Sequence, residues 1–395
     1  MRNGGLGVAC HGLTEELIES GVEVIFVLPR EQPTVGKNRF LFANVAPAQV
    51  YSIKSPLAPY KSSQAFFEMF LPGGKRVRFS RSVIEEVHRY AEAAARIAET
   101  EEFDLIHAHD WTAYLAGVAA KRVSLKPLVL HVHATSFDQA GGGNVDPEIY
   151  RLERHAFNTA DSVVAISNYT RDIVVDRYGI SPKKVEVVHN GIKPQQPARL
   201  RPALAELKAQ GKRIVFYNGR ITIQKGVDYF VRAARRVVDA NPNVVFVISG
   251  WGDMEHQIMH LVGELGLSQH VIFAGALWDE ERDRMYQAAD LLVMPSVSEP
   301  FGLVPLEAIQ HGTPALISKQ SGVAEVLTHA LKVDFWDVDE MANKILAALR
   351  YPSMNRQLVA EGQRELLRLT WKRAADKVIT LYQKLIHWFN KEKLR

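Results

Sequence analysis

The stretch Glu299-Pro-Phe-Gly-Leu-Val-Pro-Leu-Glu307 decides the fold of this chain. It follows the apolar run Asp290-Leu-Leu-Val-Met294, which predicts a buried strand, and it leads into a short helix that ends near Gln310. Unpaired N–H groups and the helix dipole make a helix start of this kind an anion site. Gly302 lets a ligand approach the backbone closely. The stretch therefore predicts an α/β domain with an anion-binding loop.

Two carboxylates frame this loop. Glu299 precedes the turn and Glu307 lies inside the helix, with seven residues between them. A carboxylate is a strong acceptor for the vicinal hydroxyls of a ribose or hexose. The spacing alone also fits two unrelated surface glutamates. The adjoining Pro-Phe-Gly, and the Gly312-Thr-Pro314 that leads to the next strand, favour a sugar-binding function.

These residues resemble the signature of the retaining glycosyltransferases of the GT-B fold, notably family 4 and the related glycogen synthases. The resemblance covers nearly the whole chain and implies an α/β protein with two Rossmann-like domains facing across a cleft. We expect an acceptor-side domain over residues 1–190 and a nucleotide-sugar-binding domain over residues 191–370. The resemblance also implies that a last helix, residues 371–395, crosses back to the first domain.

The composition is that of an ordinary globular protein. The 395 residues allow two or three domains, and the net charge of +4 permits an acidic partner without requiring nucleic acid. The single cysteine, Cys10, excludes an internal disulfide and fits a reducing compartment, so we expect a cytoplasmic protein. No run approaches the roughly 18 apolar residues of a membrane span.

A basic pair lies on the loop that follows the predicted strand Arg213–Asn218. Arg220 offers a bidentate fork and Lys225 a compact charge, at the strand end where a phosphate would bind. A solvated basic loop is the alternative. The pattern resembles the pair that grips the donor diphosphate in the family, which implies a catalytic role for both residues.

The resemblance implies further roles for residues of both domains. It assigns donor binding to Gly4, Gly5, Leu6, Gly250, Phe301, Gly302, Leu303 and Glu307. Within this set Glu307 would hold the ribose, and the Gly250 loop would hold the base. Glu299 and His133 would orient the transferred hexose.

Two predicted strands, Asp104–His109 and Pro127–His133, both end in His-x-His, which places each pair on one strand face. Ligands bind beyond the carboxyl ends of strands in open α/β sheets. The stretch His109-Asp110-Trp111 resembles the acceptor-side motif of glycogen synthases. The histidine pairs suggest a metal, but no Cys or carboxylate cluster has ligand spacing, so we predict no metal.

A second metal pattern, Asp337-Val-Asp339, resembles the D-x-D site of another glycosyltransferase fold. With Glu340 three residues after Asp337, we interpret it as a capping box that starts a helix at about Met341. GT-B enzymes need no such metal.

The glycine-rich stretch Gly4-Gly-Leu-Gly7 predicts a turn that feeds a helix over about Val8–Ser20. In doubly wound domains a central strand delivers this loop, and three preceding residues cannot form one. We therefore expect the first strand to be missing and the sheet to keep a gap with unpaired edges. We also expect the upstream reading frame to encode a further apolar strand.

Two places in the chain have features of a membrane-surface element. One is an apolar stretch followed by a basic stretch, and the other is an aromatic pair at the tip of the last helix. Ala65–Leu71 with Lys75–Arg81, and Trp388-Phe389 in the last helix, suggest peripheral membrane contact, although we favour packing on the core. Gly141-Gly-Gly143 predicts an acceptor gate or an ordinary loop.

The resemblance implies transfer of a hexosyl group, with retention, from a nucleoside-diphosphate sugar to a hydroxyl. The acceptor would be a carbohydrate such as a glucan, or a lipid-linked molecule, and no cofactor or metal would be needed. A sugar-nucleotide 2-epimerase and an inactive nucleotide-sugar-binding module are the alternatives. A phosphorylase would need a pyridoxal-binding lysine and normally a longer chain.

Overall fold

The computed structural model describes residues 4–28, 48–52, 83–194 and 202–393. The mixed apolar and basic segments Ala65–Leu71 and Lys75–Arg81 lie outside these residues. Among the described residues, no helix combines the length and the apolar content that a membrane crossing requires.

Where the structure describes the first half of the chain, it contains two parallel sheets. One sheet pairs β1 (Val24–Leu28) with β2 (Ala48–Ser52). The other has β3 (Ile106–His109), β4 (Leu128–Val132), β5 (Ser162–Ala165) and β6 (Val185–Val187) in that order. The helices among the described residues of this half are Gly4–Glu19, Val83–Thr100, Trp111–Ser124, Ser136–Gln139, Pro147–Thr159 and Asn168–Tyr178, with a 3-10 turn at Pro182–Lys184.

The described strands of the first half form two separate sheets. Within the described residues β1 hydrogen-bonds to β2 only, and β3 belongs to the separate four-stranded sheet. The two parts still touch, because the Tyr90 hydroxyl donates to the Val27 carbonyl oxygen at 3.0 Å. Helix Val83–Thr100 therefore contacts β1 through Tyr90.

The second half contains a six-stranded parallel sheet in the order β12-β11-β10-β7-β8-β9. The strands are β7 (Arg213–Asn218), β8 (Val244–Ser249), β9 (Val271–Gly275), β10 (Leu291–Met294), β11 (Ala315–Ser318) and β12 (Leu331–Val333). The helices are Pro202–Ala209, Val227–Ala240, Glu255–Glu264, Asp279–Ala288, Val304–Gln310, Val338–Arg350, Pro352–Leu366 and Trp371–Lys393, with 3-10 turns at Ile223–Lys225 and Gly322–Glu325.

The strand order of the six-stranded sheet indicates where a ligand binds. Counted along this half, the six strands follow the doubly wound order 3-2-1-4-5-6, so the direction of winding reverses between β7 and β10. Ligands bind at such a switch point, outside the carboxyl ends of the strands. The loops that follow β7 and β10 carry Arg220, Lys225 and the Glu299–Glu307 stretch.

Continuous apolar strands hold this sheet between two helical layers. All six residues of β8 are buried, as are the four of β10. A parallel sheet covered on both faces requires such runs, since neither face of the strand meets water. Helix Val227–Ala240 contributes Phe230, Val231 and Val237 to the same core.

The C-terminal helix packs against the first helix of the chain. Trp371, Ala375 and Val378 are buried together with Ala9 and Leu13 in one apolar cluster. The fit is close, because a Cβ built on Gly12 would lie 2.4 Å from the Trp371 ring. A side chain at position 12 would therefore push the two helices apart.

Two local predictions need correction. Gly4–Gly7 lies inside the helix Gly4–Glu19 and does not form a separate turn before it. Asp337 caps the helix Val338–Arg350 by accepting from the Glu340 N–H at 2.9 Å, but the Asp337 N–H donates to the Asp334 carbonyl. The capping box is therefore only half formed.

Candidate active site

The loop after β7 is held by backbone contacts that tolerate only glycine at one position. The Gly219 N–H donates to the Ser249 carbonyl at 3.0 Å, and the Gly250 N–H donates to the Gly275 carbonyl at 2.9 Å. Gly250 has φ +138°, and a Cβ there would lie 1.7 Å from the Gly219 carbonyl oxygen. The loop that carries Arg220 therefore rests directly on the loop that follows β8.

Lys225 and Glu299 come together although 73 residues separate them. The Lys225 Nζ lies 2.5 Å from Glu299 Oε2, and the Ser296 hydroxyl donates to the same oxygen at 3.1 Å. Both side chains are largely buried. Removal of either partner would leave the other poorly compensated in a partly desolvated site.

Gln224 links the two loops at the switch point and was not predicted. Its carbonyl oxygen Oε1 accepts from the Arg220 guanidinium at 2.9 Å, and its Nε2 donates to the Ser298 carbonyl at 3.2 Å. Its backbone carbonyl accepts from Val297 N–H at 2.9 Å. Because Gln224 is 3% exposed, these bonds fix the position of Arg220 relative to the loop after β10.

The helix start after β10 has the geometry that the sequence predicts. Gly302 has φ +102°, which favours glycine, and the helix Val304–Gln310 begins with Pro305 in its first turn. No side chain caps this helix start. Phe301 is buried and anchors the loop, so the amides at the helix start can meet an anion.

Glu307 is held by a network that the sequence analysis missed. The Tyr286 hydroxyl donates to Glu307 Oε2 at 2.7 Å and accepts from Asn218 Nδ2 at 2.7 Å. Arg282 Nη1 lies 3.8 Å from Glu307 Oε1. A lone tyrosine in the polar helix Asp279–Ala288 is the only sequence signal for this network. These contacts orient the carboxylate beside the carboxyl end of β7.

Asp110 supports the end of β4 from the end of β3. Its Oδ1 accepts the backbone N–H of His133 at 2.8 Å and that of Ala134 at 3.1 Å. Burial raises the pKa of Asp110 to about 7, although the two N–H groups oppose this shift. Trp111 packs into the apolar core at 7% exposure, so little of its side chain is available to an acceptor.

The two His-x-His pairs form one stack, in which His131 and His133 are buried and His107 and His109 are half-buried. His109 Nδ1 lies 2.9 Å from His133 Nε2. The ring centroids of His131 and His133 are 4.4 Å apart, and those of His107 and His109 are also 4.4 Å apart. The rings stack within each pair, although His133 lies one residue beyond the end of β4. His107 also contacts the hydroxyl of Tyr382 in the C-terminal helix.

His131 gives this stack a measurable acid sensitivity. Burial and the neighbouring histidines lower the pKa of His131 well below its ordinary value. The unfolded chain therefore binds this proton first, and stability falls as the pH drops below about 6.5. At pH 5 the loss is about 2 kcal/mol for a ring that stays neutral when folded.

When the pH falls from 7 to 5, the free energy of unfolding of His131→Leu should decrease by about 2 kcal/mol less than that of wild type. Denaturant unfolding at the two pH values measures the difference. The exposed His260→Leu is the matched control and should behave like wild type. Equal acid sensitivity in His131→Leu and wild type would contradict the neutral buried state.

Loops of the first half contact the loop after β10 directly. The Ser298 hydroxyl donates to Asp138 Oδ1 at 2.6 Å, and the Ser167 hydroxyl donates to the Pro300 carbonyl at 2.6 Å. A Cβ on Gly141, in the predicted gate loop, would come 3.7 Å from Val297. The Glu299 loop is therefore bounded by both halves of the chain.

Of the donor-side residues predicted from the first helix, Leu6 is buried and Gly5 is exposed. Both lie in the first turns of Gly4–Glu19, where backbone N–H groups are free of helical partners.

Two family models match the chain, one for each half. The model described as Glycosyltransferase Family 4 matches residues 3–196. The model described as Glycosyl transferases group 1 matches residues 204–365.

Curated relatives extend over most of the chain. An uncharacterized glycosyltransferase of Methanocaldococcus jannaschii is 26% identical over 96% of this chain and 94% of its own length. Alpha-maltose-1-phosphate synthase of Mycolicibacterium smegmatis is 30% identical, covering 73% and 81%. Glycogen synthase of Mycobacterium tuberculosis is 27% identical, covering 71% and 68%.

Solved structures share the fold at lower identity. Sucrose-phosphate synthase from Thermosynechococcus elongatus superposes with a TM-score of 0.75 at 22% identity, over 97% of this chain and 94% of that one. HepE of Anabaena, in complex with UDP and glucose, gives a TM-score of 0.75 at 18% identity, over 97% and 96%. The chain therefore belongs to the family 4 glycosyltransferases and has the two Rossmann-like domains of the GT-B fold.

Proposed function

We propose that this protein transfers a hexosyl group from a nucleoside-diphosphate sugar to a hydroxyl acceptor, with retention of the anomeric configuration. The observation that carries the proposal is the meeting of Lys225 with Glu299 beside the uncapped helix start of Val304–Gln310. A cation, a buried carboxylate and free amides at a switch point suit a diphosphate joined to a sugar. The relative HepE, in complex with UDP and glucose, supports a donor of this class.

The donor site divides into a charge-binding part and a sugar-binding part. Arg220, Lys225 and the amides of Phe301–Leu303 stabilise the diphosphate as its charge develops. Glu307, held by Tyr286, accepts the ribose hydroxyls. Lys225 has three N–H donors, so it can keep its contact with Glu299 and still meet a phosphate oxygen.

The reaction exchanges one bond at the anomeric carbon for another on the same face of the sugar. The bond from the anomeric carbon to the diphosphate oxygen breaks, and the bond to the acceptor oxygen forms. The acceptor proton passes to the leaving phosphate. We assign the orientation of the hexose to Glu299 and His133, which come from opposite halves of the chain.

We propose a carbohydrate acceptor, with glucans and glucose 1-phosphate as the first choices. Two relatives named for glycogen and maltose 1-phosphate synthesis support this acceptor class. A lipid-linked acceptor is the second choice, because the mixed apolar and basic segments Ala65–Leu71 and Lys75–Arg81 are of a type that can contact a membrane surface.

A mass-spectrometric screen identifies the substrates. Uridine, adenosine and guanosine diphosphate sugars are incubated with maltooligosaccharides, glucose 1-phosphate or a lipid-linked acceptor. We expect a product heavier by one hexosyl unit with one donor, and NMR of its anomeric proton should show the configuration of the donor. A product of inverted configuration would contradict the same-face mechanism.

We expect chelation with EDTA to leave turnover undiminished. The proposed charge stabilisation comes from Arg220, Lys225 and backbone amides. Asp337 is occupied as a helix cap, and Asp339 Oδ1 lies 2.8 Å from the Arg236 guanidinium, so the D-x-D stretch is not arranged as a cation site. Loss of transfer in EDTA that added Mg²⁺ or Mn²⁺ restores would contradict the proposed mechanism.

A further inference from the structure

Cys10 lies beside the histidine stack. Cys10, His109 and His133 each offer one ligand atom, and these atoms lie within 4.8 Å of one another. Thiolate sulfur and imidazole nitrogen are the ligands that Zn²⁺ and similar borderline cations prefer. The three residues come from the first helix and the ends of β3 and β4, so they were not recognisable as a cluster in the sequence.

Cys10 supplies the charge in this group. A thiolate carries one negative charge, which offsets part of the charge of a bound dication. A second group of three, His107, His109 and His131, offers only neutral ligands. Charge balance therefore favours the group that contains Cys10.

The histidines around this group have unused polar atoms. Among the described residues, both ring nitrogens of His131 and the Nε2 of His107 are buried without a hydrogen-bond partner. Buried polar atoms normally have a partner, and these three nitrogens belong to His107 and His131, which neighbour the group of Cys10, His109 and His133 but are not part of it. His109 belongs to both groups of three.

We propose that Cys10, His109 and His133 form a binding site for a borderline divalent cation of the Zn²⁺ type, and that its occupation inhibits the transferase. The inhibitory effect rests on the proposed function, because a cation bound by His133 removes that side chain from the donor hexose. Binding of the cation does not depend on the proposed function. The cation displaces the thiol proton, so affinity rises with pH.

Co²⁺ spectroscopy on the tag-free, full-length protein tests the site directly. We expect Co²⁺ to produce the thiolate-to-cobalt charge-transfer band in wild type, and Zn²⁺ to abolish it by competition. Cys10→Ser should lack the band, whereas His107→Ala should keep it. Absence of the band in wild type, or an unchanged band in Cys10→Ser, would overturn the site.

Inhibition provides the second readout. We expect Zn²⁺ to inhibit wild type, EDTA to reverse the effect, and Mg²⁺ to have none, because hard cations prefer oxygen ligands. Cys10→Ser should need at least roughly 10-fold more Zn²⁺ for the same inhibition. Equal inhibition of both proteins would overturn the proposed inhibitory role. An intact cobalt band in a protein without any transfer activity would support the site and overturn the proposed function instead.

Discussion

Lys225→Ala should reduce turnover by roughly 100-fold or more, and it should weaken binding of the free nucleoside much less. The charge that Lys225 meets grows as the bond to the diphosphate breaks, so its interaction belongs mainly to the transition state. Steady-state kinetics for transfer, together with calorimetric binding of the nucleoside, separate the two effects.

Lys225 also forms an ion pair with Glu299, so the folding of the variant must be checked. Without its ammonium group, Glu299 keeps only the Ser296 hydroxyl among the contacts described above. Thermal unfolding of the variant shows whether the site is still intact. Lys344→Ala, which removes an ion pair with Glu340 on a helix of the second domain, is the matched control. Wild-type kinetics in Lys225→Ala would refute its role at the diphosphate.

Gly250→Ala should abolish most of the activity and lower the thermal stability. The new Cβ would lie 1.7 Å from the Gly219 carbonyl oxygen, and φ +138° is strained for any residue with a side chain. The loop with Gly219 and Arg220 must move to relieve the clash. Displacement of a positioned group by about 1 Å can cost roughly 100-fold in rate.

Gly263→Ala provides the matched comparison, measured in the same transfer and unfolding assays. Gly263 lies in the helix Glu255–Glu264, and a Cβ there meets nothing within 4 Å. Alanine in a helix is favoured over glycine by up to about 1 kcal/mol, so this variant should be as active as wild type and no less stable. Similar behaviour of the two variants would contradict the contact described for Gly250.

The strands of the second sheet could be predicted closely because their patterns are strong. Arg213–Asn218 and Val244–Ser249 are apolar runs that end at glycine loops, and the structure has the same bounds. The strands β3 and β4 of the four-stranded sheet are shorter than predicted. β4 ends at Val132 and leaves His133 beyond the ladder, because its N–H donates to the Asp110 carboxylate.

Glycine-rich and polar segments were less predictable. Consecutive glycines permit many backbone conformations, so the sequence does not show whether Gly4–Gly7 is a turn or, as found, a first helical turn.

Supporting contacts in the site depend on tertiary structure. Motif spacing pointed to Lys225, Glu299 and Glu307, whose local patterns are distinctive. Gln224 and Tyr286 were missed, since each acts through a hydrogen bond to a distant residue that no local spacing encodes.

The protein should consume a nucleotide sugar only when an acceptor is present. Phosphorus NMR follows release of the nucleoside diphosphate from the donor found in the screen, with and without the acceptor, using wild type and Lys225→Ala. We expect rapid release with acceptor, little release without it, and at least roughly 100-fold slower release in the variant. Donor consumption at the same rate without acceptor would indicate a hydrolase or epimerase, and no consumption of any bound donor would indicate a binding module; either result would contradict the account.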